Sequence, residues 1–534
     1  SKFIMRNFEL PSRSTVHAVN GIAATSHPLS TITAIDVLKS GGNALDAAVA
    51  AAAVQGVVEP QSTGIGGDCF MFYSPGGSGD IIAYNGSGRA PAAATPEWFQ
   101  EKGITEIRQT MPHAVTIPGT IDAWDRLIQD HGTKNFGELL QPAIAFARDG
   151  YAITPRVSFD WHQSENLIRQ DKNATKLFLP DDRPLRVGEI HRQPALAATL
   201  EKIAKQGREV FYTGQVAADI VEYLQSLGGL HTMEDFATAS GEYVTPIRTE
   251  FRGYEVLECP PNGQGLTALV MLNIFAGYDP GDIDSQSVER LHIEIEAGRL
   301  AYAIRDTYIG DPSQVEVPIE HILSAAYADE LRAKIDPGRA MEVPELPTIP
   351  NHEDTVFIAV VDKERNACSL INSVFQSFGS ARVAPKSGVL LQNRGEAFSV
   401  VSGHPNCIAP NKRPLHTIIP GMLLKNGRVQ MPFGVMGGTY QAYGHAHFLT
   451  RILDFGFNLQ EAMDLPRLFP TPGGDVEAES RFSSDVINGL KLLGHSTGRP
   501  NKPIGGAQAI WIDWDNGTLT GGSEPRKDGC AIGY

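Results

Sequence analysis

Residues 356–361 read Val-Phe-Ile-Ala-Val-Val, six apolar side chains in succession. A strand with one face in water alternates polar and apolar residues, so an unbroken run implies burial on both faces. Such a strand needs one packed layer above it and another below. A second segment makes the same demand. Within an expected helix over 44–57, residues 47–54 are all alanine and valine, and a helix with so little polar face must be surrounded. Gly41-Gly42 ends a preceding helix over 31–39. Asn43 is placed to cap the second helix, with Asp46 in its first turn near the positive end of the helix dipole.

The chain has 534 residues, enough for several layers around a large core. With 42% hydrophobic and 20% charged residues it is not a largely disordered polymer. A short strand is expected over 69–73. From about 96 to 345 the pattern is helical with short breaks, at 139–148, 193–205, 216–227 and 288–308. Beyond 350 strands dominate, at 356–361, 367–375, 388–391, 417–425, 428–433 and 507–513, with helices over 443–455 and 484–493. Asn426-Gly427 is a two-residue hairpin signal between two of those strands. Layers of helix and sheet follow, in a stacking order that periodicity leaves open.

Several function classes are disfavoured. Lys+Arg 45 against Asp+Glu 61 gives a net charge of −16, which argues against a nucleic-acid partner. The five cysteines are scattered and lack zinc-ligand spacing, so neither a disulfide scaffold nor a zinc site is expected. The longest apolar run, 47–54, falls well short of the roughly 20 residues of a membrane span. The first residues contain no signal-peptide core, which favours a cytoplasmic location, or a periplasmic or secreted one if a leader has been removed.

Asp354-Thr355-Val356 is the sharpest chemical feature. Thr355 opens the apolar strand. If the chain were cut before it, one residue would offer a hydroxyl nucleophile and a free α-amine of pKa near ~8 as its base. A threonine at a strand start is also ordinary, since β-branching suits strands. In Phe433-Gly434-Val435-Met436-Gly437-Gly438-Thr439 the glycine pair can aim backbone N–H groups at a developing oxyanion, or simply turn a strand into a helix. Gly64-Ile65-Gly66-Gly67 lacks the dinucleotide fingerprint and reads as a close-packing loop. His445 and His447 lie on an expected helix, pointing apart and without a third ligand. Lys412-Arg413 reads as a solvated basic pair.

Together these segments resemble the γ-glutamyltransferase (γ-glutamyltranspeptidase) family of N-terminal nucleophile hydrolases. The resemblance spans nearly the whole chain. It runs from Gly41-Gly42-Asn43-Ala44 and Gly64–Gly67 through Thr116-Ile117-Pro118-Gly119-Thr120 and Pro260-Pro261. It continues through 354–362, Asn411-Lys412-Arg413-Pro414 and Gly437-Gly438 to Gly533-Tyr534. It implies a proenzyme that cuts itself between Asp354 and Thr355, leaving segments 1–354 and 355–534 folded together as one αββα sandwich. Thr355 would be the nucleophile, Gly437 and Gly438 the oxyanion donors, and Ser373 a hydroxyl beside the nucleophile. No metal or organic cofactor is implied. The partners implied are a small-molecule amide and the two associated segments; a homo-oligomer is left open.

Departures from the family pattern bear on the substrate. Ser87 stands where the transferases have an arginine for the glutamate carboxylate, with Arg89 two places on. Ala397 aligns with their acidic residue for the α-amine, Phe375 with a substrate-binding asparagine, and His416-Thr417 with paired serines. Arg89 and Arg394, the latter beside Asn393 in Asn-Arg-Gly-Glu, are candidate carboxylate anchors, and either is equally an ion-pair residue. These stretches look like the amidohydrolase branch, which includes oxamate amidohydrolases and cephalosporin-acylase-like proteins. The expectation is a self-processing threonine amidohydrolase acting on a small carboxylate-bearing, oxamate-like amide. The alternatives are a γ-glutamyl hydrolase or transferase, a glutaryl acylase, and an uncleaved binding protein.

Overall fold

The computed structural model describes residues 5–343 and 355–534. Asp354, on one side of the expected cut, lies outside the described residues. Two antiparallel seven-stranded sheets lie face to face. The first runs, edge to edge, Cys530–Gly533, Ile22–Thr25, Val356–Val361, Ala367–Ser373, Asp68–Ser74, Ile82–Gly86 and Glu242–Val244. The second runs Val16–Ala18, Thr518–Ser523, Gly506–Asp513, Arg428–Met436, Gly421–Lys425, Tyr254–Glu258 and Ile247–Phe251.

Alternation along the strands assigns each side chain to a layer. Phe70, Phe72, Phe357, Ala359 and Ile371 project into the core between the sheets, with Ile510 from the opposite side, where Gly434 leaves room for the Phe357 ring. Met71, Ile358, Val360, Cys368 and Leu370 project the other way, onto helix Ala44–Val58. All fifteen residues of that helix are buried, as its lack of a polar face requires. Asn43 accepts the Asp46 N–H and Asp46 accepts the Asn43 N–H, both at 2.9 Å, so the expected cap is a reciprocal box. Helices Gly265–Phe275 and Gln441–Leu453 cover the outer face of the second sheet. The order helix, sheet, sheet, helix is the αββα sandwich, and Val356–Val361 is buried on both faces within it.

Other expectations shift at their ends. The first helix begins at Pro28, three residues early, because His27 Nδ1 accepts the Leu29 N–H at 3.1 Å. The strand expected over 367–375 stops at Ser373, since Phe375 turns to φ +82°. That over 417–425 starts only at Gly421, after Pro420, which lacks a ladder donor. The Asn426-Gly427 hairpin forms with both residues at positive φ, 52° and 74°. The stretch read as all-helical contains three strands between 242 and 258, short and polar on one face, at or next to sheet edges.

Candidate active site

Register places the site. Val356 lies opposite Asn372, so Thr355 comes opposite Ser373, and Ser373 in turn pairs with Asp68 on the next strand. Directly opposed residues share a face, so Thr355, Ser373 and Asp68 form a row at the end of the inter-sheet core, across about 10 Å. Thr355 Oγ1 donates to Ser373 Oγ at 3.1 Å, and Gln441 Nε2 donates to Thr355 Oγ1 at 3.4 Å. Ser373 Oγ also accepts the Phe375 N–H at 2.8 Å.

Close backbone packing builds the floor beneath the row. A β-carbon on Gly66 would stand 1.9 Å from the Leu390 carbonyl oxygen, and one on Gly67 2.0 Å from that of Ser373. The 64–67 loop therefore does close-packing work, and it delivers Asp68 to the row.

Gly437 and Gly438 follow the strand Arg428–Met436 with φ of 134° and 57°, conformations that side-chain-bearing residues rarely adopt. Gln264 fixes this turn. Its Nε2 donates to the carbonyls of Gly438 at 3.0 Å and Thr417 at 2.8 Å, while its Oε1 accepts from Arg305 Nη1 at 2.8 Å. With the Gly438 carbonyl held, the turn's backbone orientation is set. Three residues on, Gln441 carries the amide that reaches Thr355.

Arg394 lies fully buried with its guanidinium 4.1 Å from the Phe375 ring centroid. Nη1 donates to Thr417 Oγ1 at 2.6 Å, but among the described residues Nε and Nη2 have no hydrogen-bond partner. Burial lowers its pKa to about 9, and the field of Asp68 opposes that only in part. Asn393 supports the turn from below. Its Oδ1 accepts the Gln376 N–H at 3.0 Å and its Nδ2 donates to Glu396 at 2.7 Å. Burial raises the Glu396 carboxyl to about 7.

His416 Nε2 lies 2.8 Å from Asp68 Oδ2, and the other carboxylate oxygen accepts from Gly119 N and Gln392 Nε2, both at 3.1 Å. Thr355, Ser373, Phe375, Asn393, Arg394, His416, Thr417 and the Gly437-Gly438 turn are thus joined in one chain of contacts that runs through Asp68, Gln264 and Gln441. Arg89 is not among them. Its Nη1 donates to the Ser240 carbonyl at 2.7 Å, in a cleft lined by Asp122, Asp235 and Asn411. Ser87 is buried and accepts from Asn262 at 3.0 Å.

The basic pair Lys412-Arg413 changes character. Arg413 is a buried structural cation, not a solvated one, bonded to the Ser87 carbonyl at 3.1 Å and paired with Glu242. His445 pairs with Glu258 at 2.5 Å inside the core. Asp68, Gln264 and Gln441 were not assigned roles from sequence. Asp68 directly follows the double glycine, which was its only local signal; the two glutamines have none, since their partners lie far off in the chain.

This architecture defines an N-terminal nucleophile hydrolase, an enzyme class acting on amide bonds. The gamma-glutamyltranspeptidase family model matches residues 30–534. The chain belongs to that family. It is 35% identical over 505 residues to the glutathione hydrolase-like YwrD proenzyme of Bacillus subtilis, covering 93% of this chain and 95% of that one. It is 33% identical over 533 residues to the oxamate amidohydrolase proenzyme of Klebsiella pneumoniae, covering 97% and 99%. The crystal structure of cephalosporin acylase from Bacillus halodurans superposes with a TM-score of 0.92 at 39% identity, covering 100% of this chain and 99% of that one. The Bacillus subtilis and Klebsiella pneumoniae relatives are both named as proenzymes.

Proposed function

We propose that the protein is a self-processed threonine amidohydrolase for small amides that carry a carboxylate, with oxamate the simplest member of the class. After cleavage before Thr355, its α-amine takes the hydroxyl proton while Oγ adds to the amide carbon. The N–H groups of the Gly437-Gly438 turn receive the oxyanion. The protonated α-amine returns that proton to the leaving nitrogen as the C–N bond breaks, leaving an ester on Thr355. Water then adds to this ester with the same base, releasing the acid and restoring the hydroxyl. Ser373 orients Oγ through their 3.1 Å hydrogen bond.

One observation carries the substrate reading: Arg394 is a buried cation with two donors unsatisfied among the described residues, linked through Phe375 and Ser373 to Thr355. An uncompensated buried guanidinium is costly, and a carboxylate satisfies it with parallel hydrogen bonds. A γ-glutamyl group would also bring a buried ammonium. Ala397 offers that ammonium no partner, because its side chain is a methyl group.

The test is release of ammonia, or of the amine where the amide nitrogen is substituted, from a panel of small amides by the processed enzyme. Carboxylate-bearing amides should exceed their methyl esters by at least a hundredfold in kcat/KM. Equal turnover of a γ-glutamyl anilide would refute the reading in favour of a rearranged glutamate site. Preference for a glutaryl or adipyl β-lactam side chain would select an acylase.

A further inference from the structure

Beside the unpaired donors of Arg394 lies an unpaired acceptor. His416 has no exposed surface, and its ring is held from several sides. It stacks on Phe70 with centroids 4.6 Å apart. Its backbone N–H donates to the Asn262 carbonyl at 2.8 Å, and its carbonyl accepts from Gln264 N at 2.9 Å. Nε2 lies 2.8 Å from Asp68 Oδ2. The Asp68 carboxylate takes three contacts from neighbouring groups and acts as an acceptor in all of them. Nε2 must then carry the proton, and Nδ1 keeps a bare lone pair. That Nδ1 is buried and has no partner among the described residues.

A second proton on the ring is opposed by burial and by the Arg394 charge, which together hold His416 down to about 4. The imidazole is neutral at ordinary pH. An acceptor buried without a donor costs roughly 1–3 kcal/mol, so such atoms in folded proteins are normally met by a partner. Asp68 belongs to the same cross-strand row as Thr355 and Ser373, which places His416 at the far end of that row from the nucleophile. The two ends are about 10 Å apart at the backbone, two interstrand steps.

Resting on the carboxylate reading above, we infer that His416 reads a neutral hydrogen-bond donor on the acyl group, so that the preferred substrates are amides of hydroxylated dicarboxylic acids rather than of plain or amino-substituted ones. The carboxylate meets Arg394 and the hydroxyl donates to His416 Nδ1. An ammonium is the wrong donor, because it would sit beside the Arg394 cation while the Asp68 charge is already shared among three donors. Asp68 is a positioning residue here, since it acts only by fixing the imidazole tautomer.

The test compares monoamides of three- to five-carbon dicarboxylates, each unsubstituted and with a 2-hydroxyl, 2-methoxy or 2-amino group, using processed wild-type enzyme. The hydroxylated member should exceed the plain and methoxy members by 10- to 100-fold in kcat/KM, with the amino member lowest. His416→Phe keeps the aromatic stack and should abolish the hydroxyl preference. His416→Gln, which can donate to Asp68 and still present an oxygen, should restore part of it. Because the wild-type series stands alone, misfolding of either variant leaves the result decisive. If carboxylated amides are turned over without a hydroxyl preference, or oxamate alone is turned over, the His416 inference falls and the carboxylate reading survives. If no carboxylate dependence is seen, both fall.

Discussion

Replacing Arg394 by methionine should move activity and stability in opposite directions. The unbranched side chain keeps an apolar contact with Phe375 but removes a buried cation whose one side-chain hydrogen-bond partner among the described residues is Thr417. Two charge-assisted hydrogen bonds to a substrate carboxylate, at about 1.5–3 kcal/mol each, amount to about 3–6 kcal/mol. At about 1.4 kcal/mol per decade, kcat/KM for a carboxylate-bearing amide should fall by roughly 10²–10⁴, while its methyl ester changes far less. Exchanging an under-partnered buried charge for an apolar group of similar size should stabilise the empty enzyme by about 1–3 kcal/mol. Unfolding entropy near ~2 cal/mol/K per residue makes that about 1–3 °C in Tm for a chain of 534 residues. A poor carboxylate substrate analogue should raise the Tm of the wild type but not of the variant. The assay pairs ammonia-release kinetics with thermal scans at one fixed heating rate. Equal loss toward acid and ester, together with a lowered Tm, would mean that Arg394 only braces the fold, and the anchoring argument would be wrong.

Thr355→Ala should remain a single full-length chain on a denaturing gel and release no ammonia; normal processing in that variant would overturn the assignment of the nucleophile. Ser373→Ala, which removes the hydroxyl 3.1 Å from Thr355 Oγ1, should process more slowly and lose about 10- to 100-fold in kcat with little change in KM, measured at saturating amide. Gly66→Ala would put a methyl 1.9 Å from the Leu390 carbonyl and should yield little soluble protein, whereas Gly103→Ala, with open space around it but φ +68°, should fold with a loss of about 1 kcal/mol by thermal scan. Glu59 is raised by burial from 4.5 to about 8, so the fold binds its proton more tightly than the unfolded chain does. Its contribution is complete below about 4.5 and is lost as pH rises through about 8. Glu59→Gln should therefore flatten the fall of Tm across that window, and an unchanged slope would refute the shift.

What could be read in the sequence divides by distance along the chain. The strand 356–361, the helix after Asn43 and the Asn426-Gly427 hairpin are local events, each set by a run, a cap or a turn dipeptide, and they were legible. Helix Val288–Tyr308 was legible to the residue because its apolar spacing is long and regular. The strands between 242 and 258 were not, because three to five residues with one polar face carry too short a period to outweigh their helical surroundings. The row of Thr355, Ser373 and Asp68 depends on register between strands up to 300 residues apart. Only the family resemblance brought Thr355 and Ser373 together, and nothing in the sequence tied Asp68 to His416. Arg89 and Arg394 looked alike as motifs. Burial and missing partners separate them, and neither property belongs to a motif.

The two segments expected from a cut before Thr355 differ in charge, −19 for residues 1–354 and +3 for 355–534. Charge alone would not keep them together at physiological ionic strength, where the Debye length is about 8 Å. The strand order explains why they need no such help. In the first sheet, Ile22–Thr25 of the longer segment lies between Cys530–Gly533 and Val356–Val361 of the shorter one, and Asp68–Ser74 pairs with Ala367–Ser373. In the second sheet, Val16–Ala18 pairs with Thr518–Ser523, and Tyr254–Glu258 with Gly421–Lys425. Among the described residues five strand pairings thus cross between the segments, and each is a ladder of backbone hydrogen bonds within or beside the apolar core. Separating the segments would open both sheets at once. On the proposed reading, cleavage before Thr355 would free its amine while its strand stays clamped on both sides, so the new terminus would serve as a catalytic group without becoming a loose end.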